Sequence, residues 1–176
     1  MKLRKTNAIF SLISTILLLS HAISLAAWML SQGSIPKAPS AIPRALTMFF
    51  LVHAIISIIL IASSHKGAPK NKGNQYPKMN AATIVQRISG ALLIVFTALH
   101  IVGALGITNT PPLVHAIVPP LFFALVMAHI AISASKAFIT LGIGNAKFIK
   151  RADVAIKVIC AVTLVADIIG FYLFVC

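Results

Sequence analysis

Acidic residues are almost missing from this sequence. Asp and Glu together number 2 in 176 residues, against 15 Lys and Arg, and only 10% of the chain is charged while 59% is hydrophobic. Soluble domains carry about 25% charged residues. The composition therefore argues against a soluble domain and is typical of an integral membrane protein.

Cysteine is equally scarce, with only Cys160 and Cys176 in the chain. Both lie in the last apolar run, about 24 Å apart along a helix, so they cannot form a disulfide with each other. The sequence has no C-x-x-C-H motif for covalent haem attachment and no cysteine set for an iron–sulfur cluster. Any iron–sulfur or flavin chemistry must belong to another subunit.

Long polar segments are also lacking, which leaves room for one membrane domain, residues 1–176, and no soluble one. Five apolar runs approach the roughly 20 residues that a helix needs to cross a bilayer. The predicted spans are 7–30, 45–63, 86–107, 113–135 and 154–175. Unpaired backbone groups are too costly in lipid, so each span is expected to be an α-helix. The first run is too long for a signal peptide and is taken as a span.

The basic residues are distributed unevenly between the two sides of these spans. Thirteen of the fifteen precede the first span or fall between the second and third or the fourth and fifth, which leaves Lys37 and Arg44 on the other side. This asymmetry predicts a cytoplasmic N-terminus. Because topology and attraction to anionic lipid account for the charge, we expect no nucleic-acid partner.

Four histidines fall inside the first four spans, one per helix: His21, His53, His100 and His129. An imidazole in hydrocarbon needs a partner, which is either a hydrogen bond to a neighbouring helix or a metal. Four histidines at two depths favour metal. Two facing histidines fill both axial positions of a haem iron, which suits electron transfer, and two pairs predict two haems stacked across the membrane.

The third span carries a more specific pattern. Gln86, Ser89 and Gly90, with His100 ten residues after the glycine, resemble a segment of the cytochrome b membrane anchors of succinate dehydrogenases and fumarate reductases. The resemblance is to the single-chain, five-helix, two-haem type. The fourth span is similar to the family's corresponding helix, because Lys136 follows its histidine by seven residues.

The resemblance implies an all-α membrane protein whose helices 1–4 form a haem-binding four-helix bundle. It also implies the pairing of the ligands. His21 and His100 would hold a distal, outer haem b, whereas His53 and His129 would hold a proximal, cytoplasmic one.

Several polar residues near the cytoplasmic helix ends suit the proximal haem. Arg87 and Lys136 are candidate partners of the anionic propionates, and Gln86 and Ser89 could hydrogen-bond them. Alternatively, the two cations only set the membrane topology, and the two polar residues only begin a helix.

The resemblance also implies a quinone on the outer side, next to the distal haem. A quinone carbonyl needs a donor and a proton exchanger, and the candidates are Asp167, the only acid within a span, and His115 at the outer start of the fourth span. Asp167 could instead form an interhelical hydrogen bond. Trp28 is typical of the aromatic residues that anchor a helix at the membrane interface. Its alternative role is to stack on the quinone.

By resemblance, the chain passes electrons between a quinone, expected to be menaquinone, and a cytoplasmic iron–sulfur subunit with its FAD flavoprotein, in the plasma membrane of a prokaryote. The other expected partners are lipid and, as an option, a second complex in a dimer. The sequence departs from the family pattern at Ser11, where a glycine is usual, and at Met127, where some fumarate reductases have glutamate. The direction of the reaction therefore stays open.

Three other interpretations remain. A cytochrome b like the nitrate-reductase gamma subunit would use His53 with His65 and His115 with His129. A small proton or metal transporter would use the intramembrane histidines and Asp167 as a pathway. A haemless anchor of the same dehydrogenase is the third.

Overall fold

The computed structural model describes residues 2–37, 39–66, 81–104 and 112–175. Within these ranges the chain is helical, without strands, and the helices are α1 (Lys2–Leu30), α2 (Ala41–Lys66), α3 (Ala81–Ala104), α4 (Pro112–Leu141) and α5 (Ala146–Val175). All five are long and apolar enough to cross a membrane. The prediction of five apolar spanning helices is thereby confirmed.

The turn between α4 and α5 shows why the predicted spans were too short there. Gly142 and Gly144 have positive φ values of 73° and 78°, and the amide of Ile143 donates to the carbonyl of Phe138 at 3.0 Å. Asn145 then caps α5 by accepting from the amide of Phe148. These glycines and the cap end one helix and begin the next, whereas an apolar run marks only the part suited to hydrocarbon.

The helices are arranged around α1 and α4. α1 packs against α2, α4 and α5, and α4 packs against α3 and α5 as well. Among the described residues, α2 and α3 make at most marginal contact with each other. The two helices thus flank a gap, while α5 covers the opposite side of the α1–α4 pair.

The core follows α4 and is built from small and medium side chains. The buried residues that contact each other are Ala22, Leu93, Val126, Met127, Ile130, Ala134 and Cys160. Small residues let helix backbones approach closely in a membrane. The α4 helix, which carries His129, supplies four of these seven residues.

Two prolines interrupt the hydrogen bonding of α4. Pro120 has no N–H, so the carbonyl of Ala116 loses its usual helical donor. The Tyr172 hydroxyl of α5 donates to that carbonyl at 3.3 Å. The interaction compensates for the missing bond and ties α5 to α4.

Gly170 sets the separation of α1 and α5. A Cβ atom at this position would lie 3.1 Å from Met29 Cβ and 3.4 Å from Leu30 Cγ. We expect Gly170→Val to lower the free energy of unfolding by about 1–3 kcal/mol through overpacking, measured by thermal unfolding in detergent. Leu173→Val, at an exposed position on the same helix, is the matched control, and equal melting of both variants would contradict the expectation.

Candidate cofactor site

A cavity of about 550 Å³ lies among α1, α2, α3 and α4. Its walls come from the first halves of α1 and α3 and the second halves of α2 and α4, so it lies on the side of the N-terminus. No described residue of α5 lines it. The volume falls within the roughly 300–1,000 Å³ typical of small-molecule and cofactor sites.

Two of the four intramembrane histidines line this cavity, His53 from α2 and His129 from α4. The two rings lie close enough for a charge on one to affect the other, although α2 and α4 do not pack together extensively. The two imidazoles therefore reach a shared space from different walls. Two imidazoles in such a space can supply both axial ligands of a haem iron.

The imidazole of His129 is held in a defined state by α3. Its Nδ1 lies 2.8 Å from the Ser89 hydroxyl, and that hydroxyl donates to the Gln86 carbonyl at 3.2 Å. When the Ser89 hydroxyl gives its one proton to Gln86, it accepts from Nδ1–H of His129. The other ring nitrogen, Nε2, then keeps a free lone pair, which is the state a metal ligand requires.

Gly90 explains how α3 comes so close to this ring. A Cβ atom at Gly90 would lie 3.2 Å from Cε1 of His129, which is tighter than an ordinary van der Waals contact. The glycine therefore makes room for the imidazole on its face of α3.

Basic residues surround the same cavity, whose lining includes Arg4, Arg87 and Lys136. The Lys136 ammonium donates to the Gln86 side-chain carbonyl at 2.6 Å and connects α4 to α3. The predicted cations Arg87 and Lys136 are thus brought together with the His53–His129 pair, and Arg4 joins them. An anionic group in the cavity would find compensating charge.

Two buried polar atoms of the cavity lining have no hydrogen-bond partner among the described residues, Nδ1 of His53 and Oγ of Ser14. The wall beside them is polar as well. The Asn7 amide donates to the Ser57 hydroxyl at 3.2 Å and accepts from it at 3.3 Å, which links α1 to α2. Buried polar atoms are costly when unpaired, so these atoms favour a ligand that satisfies them.

These residues fit a haem. The cavity offers two imidazoles, three cations for propionates and unsatisfied polar atoms in its wall. The described residues contain no group of three or more His, Cys, Asp or Glu that could hold a bare metal ion. A haem needs only two protein ligands, because the macrocycle supplies the other four.

The second predicted pair, His21 and His100, is brought together further from the N-terminal side. His100 lies close enough to His21 for a charge on one ring to affect the other, and Nδ1 of His21 is buried without a hydrogen-bond partner among the described residues. The His100 ring is exposed and lies 5.3 Å from the ring of Phe122.

The quinone candidates are dispersed. Asp167 is fully buried at 0% exposure, and neither carboxyl oxygen has a hydrogen-bond partner in the described part of the chain. Trp28 lies at the α1–α5 contact, 4.4 Å from the ring of Phe174, with Lys37 Nζ 4.1 Å from its ring centre. The side chain of His115 falls outside the described residues.

Sequence reasoning missed Asn7 and Ser14 as site residues. The spacing in the sequence could have identified them. Asn7, Ser14 and His21 recur every seven residues, which places them on one face of α1. A polar residue every two turns of an apolar helix marks the face that avoids lipid.

No protein-family profile matches this chain, and neither a curated protein nor a solved structure is significantly similar to it.

Proposed function

We propose that this chain is a dihaem cytochrome b membrane anchor of a succinate dehydrogenase or fumarate reductase complex. One observation carries the proposal: His53 and His129 line the same cavity from different helices, and Nε2 of His129 is free to bind a metal. A haem held by two histidines supplies one-electron transfer and leaves no coordination position for oxygen.

The cavity residues support a role in positioning and charge compensation. His53 and His129 would ligate the proximal iron, and Arg4, Arg87 and Lys136 would neutralise the propionates. Ser89 contacts the proposed ligand His129, and Gln86 contacts the cation Lys136. These two residues would therefore orient the ligand and the cation. Such groups tune affinity and redox potential.

The charge distribution of the chain supports the orientation. The cavity lies on the side of the N-terminus, which the basic residues assign to the cytoplasm. The proximal haem would then face the cytoplasmic iron–sulfur and FAD subunits. His21 and His100 would ligate the distal haem on the outer side, in the plasma membrane of a prokaryote.

A quinone, expected to be menaquinone, would react next to the distal pair. Asp167 is the proposed proton-exchanging group, His115 a second candidate and Trp28 a stacking or anchoring residue. Because Asp167 is fully enclosed, a quinone would reach it only after neighbouring side chains move.

The ligand pairing is tested by His100→Ala. We expect the purified variant to keep the proximal haem and to lose bis-histidine ligation at the distal site, seen as loss of one low-spin b haem in the reduced-minus-oxidised spectrum. Removal of the same ligation by His21→Ala would support the pair.

Phe96→Leu is the control for packing, since Phe96 stacks on Phe122 beside His100 but carries no ligand. An unchanged haem spectrum in His100→Ala would contradict the pairing and favour the nitrate-reductase gamma type of ligation. A colourless wild-type protein would favour a transporter or a haemless anchor.

A further inference from the structure

The two histidines of the cavity are not equally prepared for a ligand. His129 lies between Met127 and Ile130, two of the most buried residues of the chain, on the helix that forms the core. Its Nδ1 is bonded to Ser89 at 2.8 Å. The His129 ring therefore has a hydrogen-bond partner on α3, and its neighbours along α4 are buried.

His53 lies on α2, whose side chains are less buried than those of α4. The central window of α2 contains no buried residue, and the helix packs mainly against α1. Nδ1 of His53 has no hydrogen-bond partner among the described residues. One turn further along α2, Ser57 exchanges hydrogen bonds with Asn7 of α1.

We infer that His129 is the primary anchoring ligand of the cavity and that His53 completes the ligation afterwards. Ser89 is a positioning residue, because it acts through the His129 ring and would hold the ring proton on Nδ1, which leaves the lone pair of Nε2 for a metal. This inference rests on the proposed function. It adds the order in which the two histidines ligate, which follows from the preorganisation of His129.

The test uses the full chain in detergent, produced with and without haem supply. Haem per chain is measured as pyridine haemochrome, and spin state is measured from the ferric spectrum and by electron paramagnetic resonance. We expect His53→Ala to keep two haems per chain, one of them five-coordinate, high-spin and able to bind carbon monoxide when reduced. We expect His129→Ala to keep one haem, entirely low-spin. Free imidazole should return His53→Ala to the low-spin form.

Equal haem contents in the two variants, or retention in His129→Ala with loss in His53→Ala, would overturn the order. Absence of haem from the wild type would instead overturn the proposed function, so the two failures are distinguishable. Circular dichroism reports whether each variant keeps its helices.

Ser89→Ala provides the second arm, which does not remove a ligand. Titration of the haem-free protein with hemin should show 10- to 100-fold weaker binding at the cavity, the range expected for loss of an outer-layer partner. Ser89→Thr, which keeps the hydroxyl, should bind as the wild type does. Ser63→Ala removes a hydroxyl that bonds only to its own helix at Leu60 and is the matched control. Wild-type affinity in Ser89→Ala would overturn the positioning role.

Discussion

Gly90→Val is expected to yield a purified protein with one b haem per chain in place of two. The Cβ atom alone would lie 3.2 Å from Cε1 of His129, and the two methyl groups of valine require more room than the contact leaves. The imidazole must turn away and lose its bond to Ser89. The haem missing from the variant should be the one ligated by His53 and His129.

Pyridine haemochrome of the purified variant measures this loss. Gly90→Ala should give an intermediate result, because only the Cβ atom is added. Ala98→Val places the same side chain at an exposed position of the same helix and should keep both haems. Two haems with an unchanged spectrum in Gly90→Val would show that the Gly90–His129 contact does not shape the site.

Asp167→Val is expected to raise stability and to abolish quinone reactivity. A buried polar group without a partner costs roughly 1–3 kcal/mol, and both oxygens of Asp167 are in that condition. Removing the carboxyl should therefore increase the free energy of unfolding by a similar amount. The same change removes the proposed proton-exchanging group.

Asp167→Asn is the matched variant, since it keeps the size and polarity but cannot exchange a proton. It should lose quinone reactivity without gaining stability. The measurements are thermal unfolding in detergent and the rate of haem reduction by a menaquinol analogue. Wild-type rates in both variants would exclude Asp167 from the quinone reaction.

The spans were predictable because hydrocarbon imposes a length and a composition on any helix that crosses it. The helix ends were not. α5 begins at Ala146, eight residues before the predicted start, because the Gly142–Gly144 turn and the Asn145 cap place its start. These are local backbone signals that an apolar window does not measure.

The partner of the segment from Gln86 to Gly90 could not be predicted from the sequence either. In the sequence it precedes His100 on the same helix, but ten residues along a helix span about 15 Å. The structure places Ser89 and Gly90 against His129 of the antiparallel helix α4. The residue types were informative, whereas their partner depended on how two helices pack.

The depth of the histidines could be estimated from topology, since each lies at a known distance from a span end. The sequence could not show which ring nitrogen has a hydrogen-bond partner. The contrast between Nδ1 of His129, bonded to Ser89, and Nδ1 of His53, without a partner, arises from side chains on other helices. Spacing along one helix carries no information about those contacts.

The dihaem proposal is tested most directly by the haem content of the purified wild-type chain. It is measured from the reduced-minus-oxidised spectrum and the pyridine haemochrome. We expect two b haems per chain, both six-coordinate and low-spin. A chain that folds with its five helices and binds no haem, even when hemin is supplied, would contradict it.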